Sequence, residues 1–467
     1  MNNGNDLLRQ FDMGYEGFAQ ANAETLDALS KAMSAGSGVD AAVMTGGRAL
    51  TPESLDTTLV NILHTTDEAR LFQRLKKTPV KSVVHQWDVR TEVGADDGAW
   101  IPEGGNSQSA DQTISRKFTT AKYLQTLRTV TLQASVSNMI EDAIALEKNA
   151  GALWIIRNVE KTLFAGNSTL FSVQPDGLKA QIDPGNIIDV RGADATSSTF
   201  EDAITSCART IRNHFGVPTH MFSSTMIMMD VQKLLRDRIR FGNGNVGYGS
   251  AVFKTYPTPF GEIELVDDVF ITEGDVPSQS SLTTQAPTTP TVNSSTVNGA
   301  GQTGSQFGAG DAGNYDYVVV GSNQYGDSAA TADIPVTNVL ATGSVTINLT
   351  GGAILPSAYK VYRSELGGVS GATCLYAFSV AYTGAGQNVI DLNAYLPGTS
   401  DVYILNLNPT YDAIEWVQFL PMMKFDLYPT NAAVYPFLML LFGSLAVKKP
   451  VQHARITNVA PASLGWF

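Results

Sequence analysis

Apolar and neutral positions alternate with polar ones from Ser82 onward, with Val83, His85, Trp87, Val89 and Val93 set against Gln86, Asp88, Arg90 and Glu92. A period of two predicts a strand with one wetted face, and a second strand runs back from Ile114 to Thr131. Between them lie roughly twenty residues, Gly94 to Gln112, rich in Gly, Asp, Asn and Ser, where a hairpin turn needs about two to five. A tip of that length is functional or ordered by a partner. Two strands are marginal in water, so the hairpin over 82–131 needs a neighbour, and a second copy of the chain would serve.

The period then becomes helical. Asn138 to Phe164 predicts one helix of about 27 residues, close to 40 Å at about 1.5 Å per residue. Ile140, Ala143, Ile144, Leu153, Ile156, Val159 and Leu163 form its stripe, and Gly151 inside it costs about 1 kcal/mol. A helix this long serves as a spine across a domain. Upstream, Thr51-Pro52-Glu53 starts a helix, with a cap, a proline in the first turn and an acid at the positive end of the dipole. Residues 1–48 are weakly patterned and predict an arm. Downstream, Ser198 and Glu201 form a capping box for a helix carrying Phe200, Ala203, Ile204, Cys207 and Ile211. An apolar strand over Thr219 to Met226, a helix over Val231 to Arg240 and further strands to Ile271 complete an α+β pattern.

Composition changes sharply after that point. No Lys or Arg occurs from Thr255 through Tyr359, and Pro277 to Gly304 has the Ser/Thr/Gln/Pro/Asn content of a linker. Short alternating strands follow at Tyr315 to Val320, Val345 to Leu349, Tyr359 to Tyr362 and Cys374 to Tyr382, which predicts a small β-sandwich. Tyr315-x-Tyr-x-Val, Asn323-Gln-Tyr-Gly-Asp-Ser328 and Ala358-Tyr-Lys-Val-Tyr-Arg363 resemble a fibronectin type III or immunoglobulin-like module. Apolar strands of the earlier style resume after Asp401, at Val402 to Leu407, Trp416 to Leu420, Pro436 to Phe442 and Leu445 to Val447. The sandwich therefore interrupts a parent domain, as insertions at an exposed tip do.

A chain of 467 residues predicts two or three domains. Its net charge of -13 and lack of any Lys/Arg-dense run argue against a nucleic-acid grip. Two cysteines, Cys207 and Cys374, fall in different predicted domains, so a reducing compartment and no disulfide are expected. No signal peptide opens the chain, and the run Ala432 to Val447 is too short for a bilayer and predicts buried strands.

Catalytic, cofactor and metal chemistry finds no foothold in the pattern. Gly242-Asn-Gly244-Asn-Val-Gly247 fits a dinucleotide fingerprint in spacing, but a helix precedes it and no helix follows, so a loop is expected. The five histidines are scattered, Asp96-Asp97 and Asp267-Asp268 read as solvated acids, and no nucleophile elbow occurs. Arg116, Lys117, Lys122 and Arg128 on the return strand form the local cluster of positive charge. They line either a solvated face or a contact with acids of a neighbouring copy, such as Glu53, Asp56 or Glu141. Trp87 is expected in a core, and Trp100, on the polar tip, in a partner's pocket.

The order of parts resembles the Hong Kong 97-type major capsid protein of tailed bacteriophages. Leu50-Thr-Pro-Glu-Ser-Leu55, Asp142-Ala-Ile-Ala-Leu-Glu147, Leu153-Trp, Glu160-Lys-Thr-Leu-Phe-Ala-Gly166 and Asn186-Ile-Ile-Asp-Val-Arg-Gly192 are similar to segments of large-phage capsid proteins. The resemblance implies an α+β capsid fold with an arm (1–48), an N-terminal helical stretch (49–81), an extended loop (82–131), a peripheral domain with the spine helix (132–198) and an axial domain (199–276). The inserted sandwich (277–400) and a return to the axial and peripheral domains (401–467) complete it. It further implies hexamers and pentamers in an icosahedral virion shell around double-stranded DNA, assembled in the host cytoplasm with a scaffolding protein, a portal and a decoration protein, and no membrane. An encapsulin-like compartment shares that fold, and a surface adhesin would share the sandwich. Few charges at the contacts and a net-acidic chain suit a shell that encloses DNA without gripping it.

Overall fold

The computed structural model describes residues 66–94, 100–106, 111–136, 142–238, 253–272, 274–281, 283–368, 370–429 and 432–466. The predicted arm, the helix start at Thr51, the acids Glu53, Asp56 and Glu141, and the glycine-rich loop at 242–247 lie outside these residues.

A four-stranded sheet runs in the order Lys77–Pro79, Ile414–Asp426, Val434–Val447, Lys122–Thr131. Val434–Val447 is one continuous strand, where two were expected with a break at Gly443. The glycine makes room rather than a turn. A Cβ at 443 would stand 2.6 Å from the Val417 carbonyl oxygen and 2.7 Å from the Trp416 ring. Gly443→Ala should therefore overpack the sheet and cost about 1–3 kcal/mol, read as a lowered denaturant midpoint at unchanged m.

The spine helix is Ala143–Ala165, capped by the Asp142 carboxylate, which accepts from the Ile144 N–H at 3.2 Å. The first residues of the predicted helix lie outside the described ones. Ile155, Val159 and Leu163 pack with Phe437, Met439 and Leu441 of the sheet in one core. Each such side chain contributes about 1.5–3 kcal/mol on burial. Gly151 has a packing reason too, since a Cβ there would lie 3.1 Å from Met439 Cγ, so the helix sits close on the strand.

Glu160 faces inward from this helix and is fully buried. Its carboxyl group accepts from the Leu71 and Phe72 N–H groups at 2.6 and 3.0 Å, in the first turn of the short helix Arg70–Arg74. Burial, then the nearby Asp268 charge, pushes Glu160 well above the usual carboxylate range, and burial raises Asp268 as well. Folding thus takes up protons between the ordinary carboxylate range and the raised one. The pair's stabilisation is complete in acid and is lost as pH rises through the raised range. Glu160→Gln keeps one oxygen to accept from these N–H groups, gives up the second acceptor, and should flatten that dependence, which denaturation across pH 4 to 8 measures, with wild type losing stability toward the alkaline end.

A six-stranded sheet follows the order Ile187–Asp189, Ala454–Val459, Ser400–Leu405, His220–Ser223, Gly261–Asp267, Thr255–Thr258. The helix Ser198–Asn213 lays Phe200, Ile204, Cys207 and Ile211 on it, against Met221, Val402, Ile404 and Ile456. The apolar run at Thr219 to Met226, expected as one strand, divides. His220–Ser223 is strand, and a helix begins at Thr225, with Ser224 Oγ accepting from the Ile227 N–H at 3.5 Å. Hydrophobicity hid the boundary because Met226, exposed on the first turn of the helix, continues the apolar composition of the buried strand.

Between residues 277 and 400 the chain forms two further sheets. Thr291–Asn298, Ser344–Thr350 and Gln387–Asp391 make one. Gly313–Asn323, Ala358–Arg363 and Leu375–Ala381, with Gly326–Asp327 and Ile334–Val339, make the other. They enclose a separate core of Tyr317, Val319, Tyr359 and Val361 against Val345, Ile347, Leu349 and Val389. The stretch read as a linker, Pro277 to Gly304, is thus partly strand, Thr291–Asn298, whose polar side chains face out. Arg191 of the parent body reaches the sandwich, donating to the Asn393 and Gln306 carbonyls at 2.7 and 2.9 Å.

Candidate assembly interface

The hairpin pairs Val84–Glu92 with Thr113–Thr120, and among the described residues no third strand joins it. The return strand does not run straight to Thr131 as expected. It breaks at buried Ala121, whose N–H donates to the Val83 carbonyl at 2.8 Å, and Lys122–Thr131 leaves to pair with Val434–Val447. The hairpin therefore projects from the edge of the four-stranded sheet. At its root the Thr119 and Ser444 hydroxyls lie 3.1 Å apart, and His85 Nε2 stands 3.6 Å from Glu415 Oε1.

Two faces result. Gln86, Asp88 and Arg90 share one with Phe118, Arg116 and Ile114, while His85, Trp87 and Val89 share the other with Thr119, Lys117 and Ser115. Phe118 is 67% exposed and Trp100, beyond the strand, 96% exposed. Trp87, expected in a core, is half-buried, with the His85 ring of its own strand stacked on it at 5.9 Å.

The sheet beside it has the same character on the side away from the spine helix. Its registers align Leu127 with Leu438 and Phe425, Tyr123 with Phe442 and Leu420, and Leu440 with Met423. Leu127 and Phe425 are 58% and 53% exposed, and Tyr123 and Met423 are exposed too. An apolar row continuous across three strands is larger than the scattered exposed residues that need no explanation.

The expected cations divide by partner. Arg116 pairs across its own hairpin with Asp88 at 2.8 Å, and that bond, followed by the guanidinium charge, lowers the Asp88 pKa. Arg128 lies 3.4 Å from Glu147 of the spine helix, and Lys122 Nζ donates to the Ser172 carbonyl at 2.6 Å. Lys117 sits opposite Trp87, on an exposed position of its strand. Cross-strand pairing of Asp88 with Arg116 follows from the alternation, whereas Arg116 was expected on a solvated face or against acids of a neighbouring copy. The apolar row was missed because its members come from segments some 300 residues apart. Among the described residues no group of three or more His, Cys, Asp or Glu could hold a metal, and no helix is long and apolar enough to cross a membrane.

The chain matches the family model described as SU10 major capsid protein over residues 38–279, just over half its length. It is 24% identical over 452 residues to the major capsid protein of Staphylococcus phage S25-3, covering 92% of this chain and 94% of that one. The major capsid protein of Staphylococcus phage K gives the same identity and coverage. Solved structures similar to it include the capsid of an empty GTA particle, with TM-score 0.48, 9% identity and coverage of 91% and 100%. The holo-SrpI encapsulin complex of Synechococcus elongatus PCC 7942 has TM-score 0.45, 10% identity and coverage of 89% and 95%.

Proposed function

The chain belongs to the SU10 major capsid protein family, and from that premise we propose how it builds its shell. It is a phage major capsid protein, a subunit of the virion capsid, and capsid proteins self-assemble into icosahedral shells. The order of projecting hairpin, spine helix and two parent sheets is that of the Hong Kong 97-type fold, within the α+β class.

The observation that carries the proposal is the pair of uncovered apolar surfaces: the hairpin, a two-stranded sheet of its own, and the outer face of the four-stranded sheet. Both are buried in contacts between copies in hexamers and pentamers, where shape and apolar area supply the affinity and charges stay few. Trp100 is the anchor of the tip. Of the four cations, Lys117 meets acids of the adjoining copy, with Glu53, Asp56 and Glu141 as candidates, while Arg116, Lys122 and Arg128 keep Asp88, Ser172 and Glu147 within their own chain. The sandwich, read as a fibronectin III or immunoglobulin-like insert, projects as a built-in decoration. A scaffolding protein and a portal direct assembly, and the net charge of -13 leaves enclosed DNA free.

Purified particles test this reading. Nuclease-protected double-stranded DNA inside a shell made chiefly of this chain is the expected content; a packed cargo enzyme without DNA would place the chain with encapsulin-like compartments instead.

A further inference from the structure

A cavity of about 390 Å³ lies along the seam between the sandwich and the parent body. Its parent wall carries Lys179, Ser400, Asp401 and Arg455, and Tyr395 and Phe378 stand across from them. Asp401 Oδ2 is 3.1 Å from Lys179 Nζ and 3.9 Å from Arg455 Nη1, so two cations share one carboxylate. Elsewhere on the wall charges balance, with Lys360 held by Asp327 at 2.7 Å, and Asp275 feeling the charges of Lys360 and Lys161. One positive charge is left over beside Asp401.

Two donors are left over as well. Ser400 Oγ and Arg455 Nε are buried without a hydrogen-bond partner among the described residues, and each residue is 5% exposed. Buried donors are normally satisfied, and a buried charge normally has its opposite. The Lys179 ammonium lies 5.3 Å from the Tyr395 ring centre, and Phe378 stacks on that ring at 6.5 Å. Flat apolar surface therefore adjoins the cationic end, the usual make-up of a small-molecule pocket.

We infer that this cavity binds a small oxyanion, a carboxylate or phosphate group held by Lys179, Arg455 and Ser400, with room for a ring-sized apolar body against Tyr395. Occupied, it ties the sandwich to the parent body from both sides.

The test titrates the full-length chain with sodium benzoate, with inorganic phosphate and with chloride at matched ionic strength, read by calorimetry and thermal shift. Saturable binding of benzoate or phosphate beyond the chloride response is expected, and whichever binds tighter assigns the class. Lys179→Gln should weaken it at least about tenfold and Ser400→Ala, which removes a donor without a charge, about threefold. No saturable binding of either oxyanion, or binding unchanged in both folded variants, would overturn the inference.

Discussion

Replacing Leu127 and Phe425 together by aspartate is expected to leave the subunit folded and to abolish particle formation. Both side chains are more than half exposed, in register on the outer face of the four-stranded sheet, so their loss removes little from the subunit's own core. Substitutions at such positions usually move stability by about 0.5 kcal/mol or less. A carboxylate forced into an apolar contact without a partner costs several kcal/mol, and about 1.4 kcal/mol is a tenfold loss of association. The closed shell repeats each contact in every subunit, so the penalty recurs throughout. Sedimentation should find slow, folded material with unchanged circular dichroism where wild type yields particles. Wild-type-sized particles from the double variant would show that this face is not an assembly surface.

The second large effect concerns the sandwich. Arg363 is almost wholly buried and donates to Asp391 Oδ2 and Asn393 Oδ1, both at 2.7 Å, while the Tyr317 hydroxyl donates to the same Asp391 oxygen at 2.9 Å. The Phe307 and Tyr315 rings flank the guanidinium at 5.6 and 5.1 Å. Arg363→Met keeps the volume but strands the Asp391 carboxylate in the core. Breaking one side of a buried pair costs about 3–5 kcal/mol. The sandwich should then unfold at lower denaturant than the parent body, visible as local hydrogen exchange confined to residues 291–391. Arg363→Met combined with Asp391→Leu should recover part of the loss, since removing both charges leaves none uncompensated. A single variant as stable as wild type would mean that the pair adds nothing to the fold.

Local features were the legible ones. The hairpin alternation, the spine helix and the strands on either side of the insert all depend on residues near one another in sequence, while the cap expected at Ser198 falls one residue earlier, where Ser197 Oγ accepts from the Phe200 N–H at 3.3 Å. Pairing across hundreds of residues leaves no local trace, which is why the fate of Lys122–Thr131 had to come from its register with Val434–Val447. The same holds for Lys77–Pro79, a three-residue strand parallel to Ile414–Asp426. Composition misled where a strand is polar on its outer side. Thr291–Asn298 is Ser/Thr/Asn-rich because it covers the core with Val292 and Val297 and leaves the rest in water. Glu160 gave no signal at all, since a glutamate in a helix is ordinarily solvated and its partners, the Leu71 and Phe72 N–H groups, lie some ninety residues away.

Cryo-electron microscopy of the assembled particle tests the central claim most directly, at the side chains of Trp100, Phe118, Leu127 and Phe425. The account predicts all four enclosed by residues of adjoining copies, with the hairpin lying on a neighbour. Hairpins standing free in solvent, with the outer sheet face bare in every subunit, would contradict it.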